Sequence, residues 1–158
     1  MKNKIIIGSR GSKLALIYAE RARTELLKNP EIESVEIKGI TTTGDIIKDV
    51  RVSEHGGKGA FCKLIEQELL NKNIDIAVHA LKDMPTDETQ GLLTNCFLER
   101  NNPREILISN GNKKIKELKF NAVVGTSSFR REFQLKKIRD DLNCKLIRGN
   151  VDSRIKKL

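Results

Sequence analysis

Three isoleucines stand in a row near the amino terminus, Ile5-Ile6-Ile7, followed at once by Gly8. An unbroken β-branched run has no polar face to offer water. It therefore predicts a strand buried on both sides, and such strands belong to parallel sheets covered by helices. The residues that follow agree. Ser12 is placed to cap a helix, on which Leu14, Ile17, Tyr18, Arg21, Ala22 and Leu26 fall near one face, and Pro30 closes the segment. Ser34 to Ile40 reads as a second strand, Val35 and Ile37 alternating with Glu36 and Lys38. Strand, helix and strand in that order form a βαβ unit, so the fold class is expected to be α/β with mainly parallel sheets.

The rhythm continues along the chain. A helix is expected from about Ala60 to Asn71, with Phe61, Leu64, Ile65 and Leu69 inward. Ile74, Ile76 and Val78 open a further strand that ends in Lys82-Asp83-Met84-Pro85, where Pro85 prevents continuation into a helix. Leu92 to Leu98 reads as another strand. Glu99 to Arg104 is polar and broken by Pro103, which makes it a domain boundary: a first lobe over 1–99, a hinge over 100–104 and a second lobe over 105–158. Within the second lobe, strands are expected at Ile106–Ser109, Ala122–Gly125 and Cys144–Ile147. A basic connector runs from Lys113 to Lys119. Ser127 or Ser128 caps a helix reaching about Arg139, and another helix begins over Val151–Leu158.

Thr41 to Lys58 is a long polar connection, the kind that is usually functional. Its end, Gly56-Gly57-Lys58-Gly59, is not a phosphate-binding P-loop. Val52 stands where that motif needs its first glycine, and Gly59 where it needs Ser or Thr. A glycine hinge carrying a mobile lysine is the expectation instead.

The 158 residues carry 30 Lys and Arg against 21 Asp and Glu, a net charge of +9, which calls for an anionic partner. Aromatic residues are only 4% and are not interleaved with the basic ones, so a nucleic acid that stacks its bases on the protein fits poorly. No apolar run reaches the roughly 20 residues of a membrane span, and the apolar part of Met1 to Ile7 is too short for a signal peptide. The expected location is the cytoplasm. Cys62, Cys96 and Cys144 are widely spaced, with no C-x-x-C pattern, so neither a disulfide framework nor a metal site is expected.

Charge gathers where strands end: Arg10, Lys82 with Asp83, Arg130 with Arg131, and Arg148 with Arg154. In open α/β sheets ligands bind at the carboxyl ends of strands. Arg130 and Arg131 fall in the first turn of a helix, where the macrodipole disfavours a cation by about 0.3–1 kcal/mol. The same end presents unbonded N–H groups that hold anions, so two arginines there make sense if an anion sits between them. Arginine rather than lysine points to carboxylate or phosphate gripped by paired hydrogen bonds. A lone Asp83 among these cations suits a ligand that also carries N–H groups or develops positive charge.

Five segments now stand in order: Gly8-Ser9-Arg10-Gly11-Ser12-Lys13-Leu14-Ala15-Leu16, Gly56-Gly57-Lys58-Gly59, Val78-His79-Ala80-Leu81-Lys82-Asp83-Met84-Pro85, Val124-Gly125-Thr126-Ser127-Ser128-Phe129-Arg130-Arg131, and Arg148-Gly149-Asn150-Val151-Asp152-Ser153-Arg154. Together they resemble the porphobilinogen deaminase (hydroxymethylbilane synthase) family. The resemblance implies two lobes like those of type II periplasmic binding proteins, followed by a third domain. It implies a transferase that joins four porphobilinogens head to tail with loss of ammonia, in the cytoplasm, on the route to tetrapyrroles. It also implies a dipyrromethane cofactor, linked through a cysteine of the third domain, and a monomer with no nucleic-acid or membrane partner.

By the same resemblance Asp83 is the catalytic carboxylate facing pyrrole N–H groups. Arg10, Lys82, Arg130, Arg131, Arg148 and Arg154 bind acetate and propionate groups of cofactor and substrate. Ser12, Thr126, Ser127, Ser128 and Asn150 assist them, and Lys58 lies near the cofactor. Glu54 stands where some members have lysine, and Ala80 where many have serine. Members of the family are longer. The second lobe is expected to be cut short here, the third domain and its cofactor cysteine to be missing, and the piece by itself to make no tetrapyrrole. A non-catalytic anion-binding module of periplasmic-binding-protein type is the alternative, disfavoured by the want of an export signal.

Arg148→Lys in the active enzyme is expected to lower turnover although the charge is kept, because an ammonium cannot reproduce two parallel hydrogen bonds to one carboxylate. Steady-state turnover and cofactor loading measure it; wild-type values for both would refute a bidentate role.

Overall fold

The computed structural model describes residues 3–42, 59 and 61–158. They form two compact units, 1–99 and 100–158. Both are α/β with parallel sheets.

In the first unit β1 (Lys4–Arg10) lies between β2 (Ser34–Ile40) and β3 (Ile76–Ala77), parallel to each. The β1–β2 register runs from Lys4 opposite Ser34 to Arg10 opposite Ile40. The isoleucine run thus becomes the central strand, as the lack of a polar face requires. Successive side chains of a strand point to opposite faces. On one face Ile7 is fully buried with Ala19, Ala22 and Val35, and Ile5, Leu26, Ile32, Ile37, Ile76 and Val78 pack against them. On the other, the space beside Gly8 is taken by Ile74, Ile40 and Ile65, so a side chain there would run into Ile74.

The helix α1 (Lys13–Leu26) starts at Ser12, whose Oγ accepts a hydrogen bond from the Ala15 N–H at 3.4 Å. Its buried positions are Ala19 and Ala22, while Leu14 and Ile17 are exposed. The face expected from the large side chains is therefore rotated: the alanines are the residues small enough to lie closest to the sheet. The helix α2 (Lys63–Leu70) begins later than expected and buries Ile65 and Glu66, leaving Leu64 46% exposed. Cys62, Ile65, Glu66 and Leu69 share the i, i+3, i+4, i+7 spacing of one face, one residue out of phase with the expected stripe.

The strand expected over 74–78 is in ladder register only at Ile76 and Ala77, extended by backbone hydrogen bonds from Asp75 N to Ile6 O (2.8 Å) and Val78 N to Gly8 O (2.9 Å). Leu81–Asp83 forms a single 3₁₀ turn, so Lys82 and Asp83 lie one turn beyond the strand. Leu92–Leu98 and Ile106–Ser109 are not strands. Leu93 is 81% and Ile106 82% exposed. Among the described residues their β-favouring side chains find no partner strand to pair with or sheet face to pack on, and β-propensity is expressed only through such packing.

In the second unit β4 (Val123–Gly125) pairs parallel with β5 (Asn143–Lys145), joined by α3 (Phe129–Ile138), and α4 (Val151–Lys156) follows. Ser128 caps α3, accepting from the Arg131 N–H at 3.4 Å. β5 begins and ends earlier than expected. Arg139, just past α3, ties this unit together. Its guanidinium donates to the carbonyls of Ile115, Leu118 and Lys119 at 3.1–3.2 Å, and to both carboxylate oxygens of Asp141 at 2.6 and 2.5 Å. Asp141 also accepts from the Asn121 N–H at 3.0 Å.

These bonds, the Arg139 side chain first, hold the Asp141 carboxyl down at about 2. A carboxylate whose folded value lies below its unfolded one stabilises the fold above the unfolded value and loses that effect as pH falls through the folded one. Amide hydrogen-exchange protection over residues 115–121 is thus expected to fall between about pH 4 and pH 2, and Asp141→Asn to flatten that decline. An identical decline in both proteins would refute the link.

Candidate functional site

Arg10 is the last residue of β1, and Asp83 closes the 3₁₀ turn beyond β3. Adjacent parallel strands end side by side, which brings the two together: Arg10 Nη1 lies 3.7 Å from Asp83 Oδ2, with both side chains about three-quarters buried. That distance is an ion pair without a hydrogen bond, so the carboxylate is oriented by charge rather than locked. The Arg10 guanidinium also sits 4.0 Å from the centre of the Phe61 ring, within cation–π range. Asp83 therefore pairs with Arg10 at the neighbouring strand end. Lys82, its neighbour in sequence, is exposed.

Around this pair lie residues the sequence did not single out. The Cys62 thiol, wholly buried, donates to the Asp83 carbonyl at 3.1 Å and touches Met84 Sδ at 3.6 Å. Burial, then the charges of Glu66 and Asp83, push that thiol up to about 11. Glu66, one turn on, is buried and accepts from Thr89 Oγ1 at 2.9 Å. The His79 Nε2 is enclosed with no hydrogen-bond partner among the described residues. Burial holds its ring below the usual histidine value against the pull of Glu66 and Asp83. Ser12 is engaged in capping α1. Lys58 and the glycine pair before it lie outside the described residues.

In the second unit a carboxylate of the protein itself, rather than a ligand, lies between the first-turn arginines. The Glu105 carboxylate pairs with Arg130 through Oε1 and with Arg131 Nε through Oε2, the latter at 2.8 Å. The Arg130 hydrogen bond and the two positive charges hold Glu105 below the usual carboxylate range. Thr126, nearly fully buried at the end of β4, accepts from the Ser128 N–H at 3.2 Å, and Ser127 is half-buried between them. Arg148, Asn150 and Arg154 follow β5. Arg154 donates from Nε to the Gly149 carbonyl at 2.7 Å. Burial and the nearby charges of Arg131 and Arg148 pull its pKa down. Arg154 thus feels the charges of Arg131, itself paired with Glu105, and of Arg148. Gly149 has φ +112° with Ser153 Cβ 3.1 Å from where its own Cβ would be, so only glycine fits the turn that delivers Arg148 and Arg154. Asn150 precedes α4 without a side-chain cap bond.

Among the described residues no group of three or more His, Cys, Asp or Glu side chains is placed to hold a metal ion, and no helix is long and apolar enough to cross a membrane.

Fold and cation placement define an α/β protein whose strand ends present guanidinium groups suited to carboxylate-bearing ligands. Residues 5–158 match the family model described as "Porphobilinogen deaminase, dipyromethane cofactor binding domain". The chain belongs to the porphobilinogen deaminase family. It is 50% identical over 159 residues to a porphobilinogen deaminase of Bacillus subtilis (strain 168), covering 100% of this chain and 50% of the relative. Its identity to that of Lysinibacillus sphaericus (strain C3-41) is 50% over 155 residues, 98% of this chain and 50% of the relative. For Chlorobium limicola (strain DSM 245 / NBRC 103803 / 6330) the figures are 46% over 158 residues, 99% and 50%. The chain spans about half the length of the curated relatives it matches.

With its thiol held at about 11, Cys62 is about a thousandth thiolate at pH 8, and it is fully buried, whereas Cys96 is exposed. Iodoacetamide at that pH is expected to label Cys96 quickly and Cys62 only on unfolding. Peptide mass spectrometry of the alkylated protein reads this directly; equal labelling would refute the buried, protonated thiol.

Proposed function

We propose that this chain takes part in porphobilinogen deamination: the stepwise head-to-tail condensation of four porphobilinogens into hydroxymethylbilane, with release of ammonia. The observation that carries the reading is the family match across residues 5–158. The Arg10–Asp83 pair and the Arg131, Arg148 and Arg154 group support it chemically. On this reading the two units are lobes of periplasmic-binding-protein type, 100–104 is the hinge, and the enzyme works in the cytoplasm.

The arginine group fits dipyrromethane, whose acetate and propionate side chains would offset the positive charges of Arg131 and Arg148 that, after burial, lower the Arg154 pKa. Arg131, Arg148 and Arg154 would hold those carboxylates, with Thr126, Ser127, Ser128 and Asn150 as neutral partners. When bound, the cofactor supplies the pyrrole carbon from which the chain of rings grows. Arg10, Lys82 and Arg130 bind substrate carboxylates, and Lys58 serves the same ligands from the connection before α2.

Asp83 carries the chemistry. Loss of ammonia from an aminomethylpyrrole leaves a methylene-pyrrole cation, with positive charge developing near the ring nitrogen. A fixed carboxylate there stabilises the transition state more than the neutral ring, and Arg10 orients it without a hydrogen bond that would compete with the pyrrole N–H. Asp83→Asn keeps size and hydrogen-bond acceptance but loses the charge. The holoenzyme carrying it is expected to fold and bind substrate, yet turn over at least about a hundredfold more slowly, and Asp83→Glu to retain more. Melting temperature and single-turnover rate on one preparation decide: a lowered melting temperature with wild-type rate per folded molecule would make Asp83 a structural residue and refute the assignment.

A further inference from the structure

Two adjacent residues outside the assigned set each touch one member of the Arg10–Asp83 pair. Phe61 places its ring 4.0 Å from the Arg10 guanidinium. Cys62 donates its thiol proton to the Asp83 carbonyl at 3.1 Å. Both precede α2, which packs against β1 and β3. Cys62 occupies the helix N-cap position, where Ser, Thr, Asp or Asn would normally turn an oxygen back onto the helix. It makes no cap hydrogen bond. Its donor crosses instead to a residue 21 positions away. Cys62 is wholly buried, and the thiol's high value keeps the proton on sulfur throughout the neutral range. One helical turn later Thr89 donates to the buried Glu66, so the segment after β3 is fastened to α2 on either side of Pro85. The 3₁₀ turn itself holds Asp83 through Asp83 N to Ala80 O, at 2.8 Å, and closes across it through Met84 N to Leu81 O, at 3.2 Å.

We propose that Phe61 and Cys62 are positioning residues, a two-point brace from the start of α2 that sets the distance and angle between Arg10 and Asp83. The inference rests on the catalytic reading of Asp83 and extends it. Phe61 steers the guanidinium by its ring face, where an aliphatic side chain of similar bulk would offer no attraction. Cys62 fixes the peptide group at Asp83, and so the direction in which the carboxylate leaves the backbone. The dependence is on a donor at that place: serine can supply one, alanine cannot.

The test uses Cys62→Ala, Cys62→Ser and Phe61→Leu in the holoenzyme. Phe61→Leu is expected to lower kcat by roughly 3- to 30-fold, the loss of one cation–π contact, and to raise KM as well, because Arg10 also holds a substrate carboxylate. Cys62→Ala is expected to lower kcat in the same way, and Cys62→Ser to restore most of it. In an Asp83→Asn background neither Phe61→Leu nor Cys62→Ala should lower the rate further. Independently of turnover, the Met84 amide resonance, whose peptide carries the accepting carbonyl, should shift in Cys62→Ala and return towards wild type in Cys62→Ser. An unchanged Met84 resonance in Cys62→Ala overturns the brace whatever the enzyme does. Equal kcat losses in Cys62→Ala and Cys62→Ser, tracking melting temperature, reduce Cys62 to a packing residue and overturn its role. Wild-type turnover in Asp83→Asn overturns the functional reading itself, and with it any catalytic purpose for the brace, while the resonance still reports the contact.

Discussion

Everything in the first unit depends on β1 being hydrogen-bonded along both edges. Its parallel ladder with β2 sets the register from Lys4 to Arg10, and its shorter ladder with β3 brings the chain back beside Ile7 and Gly8. A strand paired on both edges and covered on both faces can be uniformly apolar, which is why three isoleucines are tolerated where an edge strand would aggregate. Because both ladders are parallel, β1 and β3 finish at the same end of the sheet. That geometry brings Arg10 and Asp83, far apart in sequence, close enough to form an ion pair at 3.7 Å.

The second unit meets a different constraint. With two short strands and few fully buried side chains, Leu142 the largest of them, it relies on polar ties. The Arg139 guanidinium, gripping three carbonyls and the Asp141 carboxylate at once, substitutes for a broad apolar core. The remaining arginines are left to crowd the ends of β4 and β5. Glu105 forms ion pairs with Arg130 and Arg131, while the charges of Arg131 and Arg148 act on the partly buried Arg154.

Much of this was legible beforehand because it is local. The isoleucine run and the Ser12 and Ser128 caps depend on neighbours in sequence, and each falls within a residue or two of its expected place. The misreadings are all tertiary. Leu92–Leu98 and Ile106–Ser109 have strand-like composition but, among the described residues, no strand beside them. The inward faces of α1 and α2 are turned from the stripe of large side chains, because Ala19, Ala22, Cys62 and Glu66 are where contact with the sheet is closest.

The sequence by itself determined the class of fold, the strand ends as the place for charge, and arginine as the chemistry of that place, since periodicity, capping and side-chain type need no coordinates. Only the tertiary structure decided which charges meet. Asp83 faces Arg10 rather than its neighbour Lys82, Glu105 supplies the carboxylate between Arg130 and Arg131, and a buried thiol at Cys62 reaches the Asp83 carbonyl. Each of these partnerships spans tens of residues, and such distances are set by strand register and helix packing rather than by local preference.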